Sequence, residues 1–412
     1  MKIASCRKEQ NKYDFLGQSY ASVYPNLHRY PATMLPQIGI ELLKDFKVKK
    51  TNLLDPYCGS GSSFSAGLDY GIQKFYGFDL NPLAIMISRA KLSFIDEFLL
   101  EKEKEKLLNK LFFGICYLEV DSYIAKEAKN IKNADFWFSD ENLRKLTYIF
   151  GLLKEIENKS IKNLFFLTFS ETLREVSFTR NGEFKLFRMK NYEDFQPNVF
   201  NIFSNKLVNV TDNYLKYYQP KLKNVFFRVF NTCALKNDIH FDCILTSPPY
   251  GDSKTTCAYG QFSTFTNEWL GMKEARKLDS FLMGGKKSKE LYSRYSIKEC
   301  ILEVCQKDKK RALEISSFYF DLESDINHLA QYANHGAKVF FVVGNRQVKG
   351  VELQTDKFIA ETFIQNGLRH LETIERSISN KTMPTRNSPT NKTGVQSSTM
   401  NKEYIVVCEK CA

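Results

Sequence analysis

Four consecutive residues have the types and spacing to hold a planar amino group. Ser247, Pro248, Pro249 and Tyr250 follow a short apolar stretch that is typical of a strand. Two consecutive prolines have no backbone N–H and a fixed φ, so the carbonyl oxygens of this segment face no local donor. The Ser247 hydroxyl and the Pro248 carbonyl could accept the two hydrogens of an amino group, while Tyr250 stacks on the ring that carries it. Taken alone, the segment is also typical of a strand that ends in an ordinary proline turn.

A second segment has the pattern of a turn that binds a nucleotide-like cofactor. Apolar residues 53–54 lead into the run Asp55-Pro56-Tyr57-Cys58-Gly59-Ser60-Gly61, and small residues follow at 62–67. This order predicts a strand, a tight turn and the start of a helix. Such a turn brings a nucleotide close to backbone N–H groups.

An acidic residue follows the next predicted strand. Residues 75–78 are apolar and end at Asp79, and Asn81 would begin the helix after it. Asp79 lies about 20 residues beyond the glycines, where an acid typically accepts hydrogen bonds from the two hydroxyls of a ribose. The combination of the two segments is much more specific than either one alone.

Together these segments resemble the S-adenosylmethionine-dependent DNA amino-methyltransferases, which methylate exocyclic nitrogens of cytosine or adenine. The Thr-Ser-Pro-Pro-Tyr form at 246–250 is more typical of their cytosine-N4 branch. The resemblance implies that S-adenosyl-L-methionine is the cofactor and that the Ser-Pro-Pro-Tyr segment is catalytic. It implies cofactor contacts from the glycine-containing turn and the acid after the second strand, namely Asp55, Pro56, Cys58, Gly59, Ser60, Gly61, Asp79 and Asn81.

Two further segments extend the resemblance. Residues 28–36 are similar to the family's cofactor-lid segment, which implies cofactor contacts from His28, Pro31 and Thr33. At the end of the predicted strand 226–232 the family often has Gly-Asp, whereas this chain has Asn231-Thr232. Thr232 takes the place from which the family contacts the cofactor's adenine, and the departure leaves that contact open.

The elements that position these motifs indicate an α/β fold. The alternation of strands and helices predicts a doubly wound sheet with a largely helical insertion, and the resemblance implies that this sheet is the Rossmann-like sheet of a methyltransferase. We expect residues 1–97 to form the first part of the core, with the lid and cofactor motif. Residues 98–223 would form an inserted domain, a candidate for target recognition, because so long a connection must be structured in itself. Residues 224–412 would complete the core.

Basic residues in three segments are candidates for contact with DNA. Residues 174–188 predict a hairpin with an Asn-Gly turn, in which cationic and aromatic side chains alternate; a solvated edge hairpin is the alternative. A polar loop at 251–256 would close over a bound base. The basic loop at 380–392 is either a binding loop on the catalytic edge of the sheet or a disordered linker. The candidate DNA contacts in these segments are Arg174, Arg180, Arg188, Lys254, Lys381 and Arg386.

The composition is that of a protein with a polyanionic partner. The formal net charge is +12, which favours nucleic acid, although a Lys-rich proteome would produce the same excess. No apolar run approaches 18 residues and no signal peptide is recognisable, so we expect a cytoplasmic protein with no membrane span. The ten cysteines and five histidines show no metal-ligand spacing, and no metal is expected.

The function predicted on these grounds is site-specific methylation of cytosine N4 in double-stranded DNA, within a restriction-modification system that includes a cognate endonuclease. Adenine-N6 methylation is the first alternative, since the same grip fits either amino group. RNA methylation at guanine N2 is a second; enzymes of that kind usually carry an RNA-binding domain before the core, and only about fifty residues precede the first predicted strand. An inactive DNA-binding subunit is the third, and a cofactor-binding titration would separate it from the others.

Overall fold

Apolar and aromatic runs form an eight-stranded mixed sheet at the centre of the computed structural model. The structure describes residues 6–8, 12–19, 24–116, 131–180, 182–232, 239–251, 258–378, 386–387, 397–398 and 401–411. The strands are, in chain order, β1 (Cys6–Lys8), β2 (Leu53–Asp55), β3 (Lys74–Phe78), β4 (Phe226–Phe230), β5 (Phe241–Thr246), β6 (Ala333–Val343), β7 (Gln347–Val348), β8 (Val351–Glu352), β9 (Leu368–Ser377), β10 (Arg386–Asn387), β11 (Ser397–Ser398) and β12 (Lys402–Lys410). This α/β architecture confirms the predicted doubly wound sheet.

The order of strands across the large sheet is β1-β9-β12-β6-β5-β2-β3-β4. Strands β4, β3, β2, β5 and β6 are parallel, whereas β12 is antiparallel to both of its neighbours. From β2 the chain proceeds outward through β3 and β4, and then returns to place β5 on the other side of β2. Ligands of open α/β sheets bind at such a switch point, outside the carboxyl ends of the strands.

Helices cover both faces of the sheet. The longer helices, apart from those of the insertion, are Pro36–Asp45, Ser62–Tyr70, Pro82–Leu92, Tyr259–Trp269, Ile297–Lys307, Lys309–Tyr332 and Thr355–Gln365. Neighbouring residues of β2 belong to different hydrophobic cores. Leu53 packs with the helices Pro36–Asp45, Ser62–Tyr70 and Pro82–Leu92. Leu54 packs with the helices Ile297–Lys307, Lys309–Tyr332 and Thr355–Gln365. Strands that are buried on both faces have continuous apolar sequences, so they can be predicted from the sequence.

The insertion is helical, as predicted, and it is continuous with the first of these cores. Its longer helices are Glu97–Cys116, Asp140–Glu155, Lys159–Glu175 and Val199–Asn213. The helices begin at residues with short polar side chains, since Ser139, Asn158 and Asn198 each accept a hydrogen bond from the first turn. Their apolar faces belong to the same hydrophobic cluster as Leu53. The inserted segment therefore extends a layer of the sheet domain.

Strand β9 was not predicted from the sequence. Its apolar residues are interspersed with charged ones, and its charged side chains pair across the sheet with those of β12, as in Lys402 with Glu375 (2.6 Å). Because β9 runs parallel to β6, the connection from β9 to β12 leaves the sheet at the edge where the carboxyl ends of the parallel strands lie. Among the described residues, no helix has the length and apolar character required to cross a bilayer.

Candidate active site

A cavity of about 320 Å³ lies at the carboxyl ends of β2, β3 and β5. The turn after β2 contributes Asp55, Pro56, Cys58, Gly59 and Ser60 to its wall, and the turn after β3 contributes Asp79 and Asn81. Ser247 and Pro249 reach the cavity from the segment after β5. The fold thus brings together, at the switch point of the sheet, three segments that are far apart in the sequence.

The turn after β2 requires glycine. Gly59 and Gly61 have φ angles of +47° and +75°, in the left-handed region that other residues rarely adopt. A Cβ atom on Gly61 would lie 3.0 Å from both the Phe64 ring and the Ser88 hydroxyl. Gly61 itself lies behind the cavity wall, where it begins the helix Ser62–Tyr70. The N-terminal N–H groups of this helix, with their positive end of the helix dipole, therefore lie beside the cavity.

Asp79 is held with both carboxylate oxygens in defined positions. One oxygen accepts from the Gly59 N–H (3.0 Å) and the other from the Asn81 N–H (2.8 Å). Burial raises the pKa of Asp79 to about 6, and these hydrogen bonds oppose the rise. The carboxylate borders the cavity, where it could accept hydrogen bonds from the hydroxyl groups of a ligand.

Asp55 links the ends of β2 and β5. Its carboxylate accepts hydrogen bonds from the hydroxyls of Ser63 and Thr246, each at 2.5 Å, and from the Tyr57 N–H at 3.0 Å. Burial raises its pKa to about 6. Because Thr246 immediately precedes Ser247, this carboxylate fixes the position of the Ser-Pro-Pro-Tyr segment relative to the glycine turn.

The Ser-Pro-Pro-Tyr residues have different environments. Ser247 and Pro249 face the cavity, whereas Pro248 is buried outside its wall. The Ser247 hydroxyl donates to the Tyr250 hydroxyl (3.2 Å), which donates in turn to the Glu403 carboxylate (2.9 Å). Tyr250 lies behind Ser247, half-buried and outside the cavity wall.

The residues expected to form the cofactor lid divide into two groups. Thr33 lines the cavity together with Ala32 and Met34. His28 does not: it is buried against the insertion, with Nε2 2.9 Å from the Ser170 hydroxyl, and burial lowers its pKa to about 4. The structure thus places His28 away from this cavity, and its contact with the cofactor stays a prediction.

Two other predicted cofactor residues also lie outside the cavity wall. Pro31 is buried beside the lid turn, and Thr232 lies beyond the end of β4. Its neighbour Asn231 donates a hydrogen bond to the Asp79 carbonyl oxygen (3.0 Å). Of the described residues after β4, Asn231 therefore supports the turn that carries Asp79, and neither Asn231 nor Thr232 lines the cavity.

The structure adds cavity residues that sequence patterns did not indicate. Asp321 and Asp325 reach it from the helix Lys309–Tyr332, and Tyr57 donates to Asp325 at 2.8 Å. Burial raises the pKa of Asp325 to about 6 and that of Asp321 by less. Two aspartates four residues apart on a helix are typical of a solvated face, so no signal in the sequence separated them from surface residues.

Aromatic residues close the side of the cavity beside the insertion. Tyr30 stacks on Tyr259, with ring centroids 5.9 Å apart and planes 21° apart, and both line the cavity. The Asn81 amide donates to the Tyr30 hydroxyl (3.0 Å) and its oxygen accepts from Asn267 (3.1 Å). Asn81 therefore joins the β3 turn, the lid and the helix Tyr259–Trp269.

The basic segment 174–188 is only partly a hairpin. Arg174 is a helical residue, and its guanidinium donates to backbone oxygens within the protein and lies 4.6 Å from the Phe262 ring centroid. The prediction of Arg174 as a strand residue is therefore wrong, and its contact with DNA stays a prediction. Thr179 and Arg188 form a single antiparallel bridge. The Arg188 guanidinium lies between aromatic rings, 3.5 Å from the centroid of Tyr192 and 4.2 Å from that of Phe136.

The remaining candidate DNA contacts are Arg180, Lys254, Lys381 and Arg386. Arg180 is exposed and pairs with Glu183 at 3.3 Å. Lys254 and Lys381 lie outside the described residues, as does the side chain of Arg386, whose backbone forms β10. In the described part of the chain, no three His, Cys, Asp or Glu side chains come together as metal ligands would.

The fold and the cavity together define the class of the protein. A doubly wound sheet with an antiparallel strand after its parallel core, a glycine turn after the first core strand and an acid after the second is the arrangement of a methyltransferase. The chain is 35% identical to Type II methyltransferase M.MvaI of Kocuria varians over 435 aligned positions, which cover 98% of this chain and 95% of that protein. It is 20% identical to Type II methyltransferase M.MjaII of Methanocaldococcus jannaschii, over 88% of this chain and 78% of that one. No family model matches it. The chain therefore belongs to the Type II methyltransferases, a family of DNA methyltransferases.

Proposed function

We propose that this protein methylates the exocyclic N4 of cytosine at specific sites in duplex DNA, as the modification enzyme of a restriction-modification system. The observation that carries the proposal is the position of Ser247, which faces the same cavity as Asp79 and the glycine turn. The proposal includes a partner endonuclease with the same recognition sequence, which is supported by the Type II relationship alone.

The cavity fits S-adenosylmethionine. Four carboxylates border it, those of Asp55, Asp79, Asp321 and Asp325, which suits a ligand that carries positive charge and ribose hydroxyls. The Asp79 carboxylate borders the cavity and suits the two ribose hydroxyls, and the start of the helix Ser62–Tyr70 suits a carboxylate. When bound, this cofactor supplies an activated methyl group on its sulfonium.

Ser247 is placed to hold the amino group that receives the methyl. The amino nitrogen of cytosine is a poor nucleophile because its lone pair is delocalised into the ring. Hydrogen bonds from the amino group to the Ser247 hydroxyl and the Pro248 carbonyl would draw the nitrogen towards tetrahedral geometry and localise that lone pair. No cysteine nucleophile is required.

Access to an amino group inside a duplex requires that the base leave the stack. Extrusion costs a few kcal/mol, and stacking on a protein ring offsets part of it. We assign this role to the partly buried ring of Tyr250, beside Ser247. The insertion 98–223 and the loops that carry Lys254, Lys381 and Arg386 are proposed to hold the flanking DNA.

Serine at position 247 is the feature that favours cytosine. The adenine-N6 branch of these enzymes more often has aspartate at the corresponding position, and the rest of the grip fits either base. Adenine-N6 methylation is therefore the second candidate function, and it differs from the first only in the base that is held.

The decisive experiment is modification-sensitive sequencing of the host's DNA with and without the gene, repeated with the Ser247→Ala variant. We expect N4-methylcytosine at one short recognition sequence, lost in the variant. N6-methyladenine at a specific site would replace the cytosine assignment with the adenine one. Methylation of neither base, together with methylation of RNA by the purified protein, would contradict the proposal as a whole.

A further inference from the structure

A buried ion pair lies directly behind the Ser-Pro-Pro-Tyr segment. Arg376 of β9 and Glu403 of β12 are paired across the sheet, and their side chains are only 4% and 14% exposed. The Arg376 guanidinium donates to Glu403 Oε2, and its other nitrogens donate to the carbonyl oxygens of Tyr13 (2.8 Å) and Asp14 (3.4 Å). Each nitrogen of the Arg376 guanidinium thus donates a hydrogen bond, and one of them holds a carboxylate oxygen of Glu403.

The other carboxylate oxygen begins a chain of hydrogen bonds that ends at the cavity. The Tyr250 hydroxyl donates to Glu403 Oε1 at 2.9 Å, and the Ser247 hydroxyl donates to the Tyr250 oxygen at 3.2 Å. Burial and the neighbouring Glu403 raise the pKa of the Tyr250 hydroxyl well above its ordinary value, so the phenol keeps its proton. A hydroxyl has one hydrogen to give, and a carboxylate accepts without donating.

The direction of these hydrogen bonds, from Ser247 through Tyr250, is set by the carboxylate of Glu403 at which they end. Since Glu403 can only accept, Tyr250 must direct its hydrogen to Glu403 and offer its oxygen to Ser247. Ser247 then directs its own hydrogen away from the cavity, and only its lone pairs face a ligand there.

We infer that Glu403, through Tyr250, makes Ser247 an obligatory hydrogen-bond acceptor, so that the site takes a base that carries an amino group and rejects its keto counterpart. This inference rests on the proposed function of Ser247. An amino group donates hydrogens and finds acceptors at this position. The keto oxygen that deamination leaves has no hydrogen to give, and it would face the lone pairs of Ser247 without a partner. Glu403 is in these terms a positioning residue that determines specificity.

Glutamine at position 403 would reverse the direction of the hydrogen bonds that join positions 403, 250 and 247. Because the Arg376 guanidinium requires an acceptor, the amide oxygen of Glu403→Gln would face Arg376 and its NH₂ group would face Tyr250. Tyr250 would then accept from the amide and donate to Ser247, which frees the Ser247 hydrogen to turn towards the cavity. In Tyr250→Phe the chain is interrupted, and the residue at position 403 no longer affects Ser247.

The experiment measures affinity for duplexes whose target base is either the amino-bearing base or its deaminated counterpart, which is uracil for cytosine and hypoxanthine for adenine. The target is first located by the sequencing described above. We expect the wild-type protein to prefer the amino-bearing duplex by about tenfold or more. Glu403→Gln should bring the ratio close to one. Added to Tyr250→Phe, the same substitution should leave the ratio unchanged.

A matched control and a second variant complete the test. Glu409 also lies on β12 in a cross-strand ion pair, with Lys338 at 2.5 Å, but it is remote from Ser247, so Glu409→Gln should keep the wild-type ratio. If Glu403→Gln fails to fold, Tyr250→Phe alone decides, because it leaves the ion pair intact and should lower the ratio. An unchanged ratio in Tyr250→Phe, or an equal effect of Glu403→Gln with and without the Tyr250 hydroxyl, overturns the inference. Wild-type turnover in Ser247→Ala would instead refute the proposed function.

Discussion

Ser247 is the side chain whose removal most directly tests the proposed chemistry. Its hydroxyl faces the cavity but holds none of the cofactor-binding residues in place. We expect Ser247→Ala to lower turnover by about 10- to 1000-fold with little change in cofactor affinity, because the contact acts mainly near the transition state. Single-turnover methyl transfer and a separate titration with S-adenosylhomocysteine measure the two quantities. Turnover near that of the wild type would remove Ser247 from the mechanism.

Substitution of Asp79 should mainly change cofactor affinity, the quantity that Ser247→Ala should leave almost unchanged. Loss of its carboxylate in Asp79→Ala should weaken cofactor binding by about 1.5 to 3 kcal/mol, the size of charge-assisted hydrogen bonds to hydroxyls. Asp69→Ala is a matched control, since Asp69 is a surface aspartate that pairs with Lys221. Calorimetry on the two variants gives the comparison. Equal affinities in both would mean that Asp79 does not bind the ribose.

The pH dependence of cofactor binding follows from the pKa of Asp79, which burial raises to about 6. The carboxylate accepts hydrogen bonds above this pH and is neutral below it, so affinity should fall as the pH is lowered through about 6. The profile should be flatter in Asp79→Ala, with the remainder due to Asp55 and Asp325, whose pKa values are also about 6. The folding stability of the ligand-free protein should depend on pH in the opposite direction. An acid whose pKa is raised in the folded state stabilises the fold at low pH, and that stabilisation is lost as the pH rises through 6. Identical profiles for the variant and the wild type would contradict the assignment.

At the scale of elements, the loop between the helices Lys159–Glu175 and Val199–Asn213 contains arginines with different roles. Arg180 is exposed, whereas Arg188 lies between the rings of Phe136 and Tyr192. We expect Arg180→Ala to reduce the slope of log K against log salt for DNA by about one, with unchanged stability. Arg188→Ala should instead lower the free energy of unfolding by about 1 to 2 kcal/mol, through loss of cation–π contacts. Salt titrations and urea unfolding of both variants separate the roles, and an unaltered stability in Arg188→Ala would refute the structural one.

At the scale of the whole molecule, the inserted helices and the sheet share a hydrophobic core. Phe265, in the helix after the catalytic segment, is buried and packs on Trp137 and Phe138 of the insertion, with ring centroids 5.6 and 5.1 Å away. Trp269 of the same helix packs on Phe150. Both tryptophans of the chain therefore report on the contact between insertion and core.

We accordingly expect a single unfolding transition. Tryptophan fluorescence, which follows this contact, and far-ultraviolet circular dichroism, which follows all helices, should coincide along a urea titration. Phe265→Ala should lower the free energy of unfolding by about 3 to 5 kcal/mol, as is usual when a buried aromatic ring is removed. Fluorescence that changes at clearly lower urea than circular dichroism would indicate that the insertion is a separate domain.

Local motifs and the order of elements could be predicted from the sequence. The glycine turn, Asp79 and the Ser-Pro-Pro-Tyr segment each depend on adjacent residues, because a strand, a turn and a helix start are specified within about ten positions. The helical insertion was also predicted, since its helix-like stretches are rich in Lys and Glu and the segment is too long for a loop. The strands of the parallel core were predicted because they are apolar on both faces, whereas β9 was missed because its charges are paired across the sheet.

Only the tertiary structure decided which distant side chains meet. The direction of a side chain depends on how its element packs, so His28, beside the lid motif, faces the insertion, while Asp321 and Asp325, from a helix far along the chain, face the cavity. The pair of Arg376 and Glu403 exists because β9 and β12 are neighbours in register, a property of the sheet that no local pattern contains. The sequence by itself determined the class of chemistry. The packing of remote elements determined how Ser247 is oriented for the role that we propose.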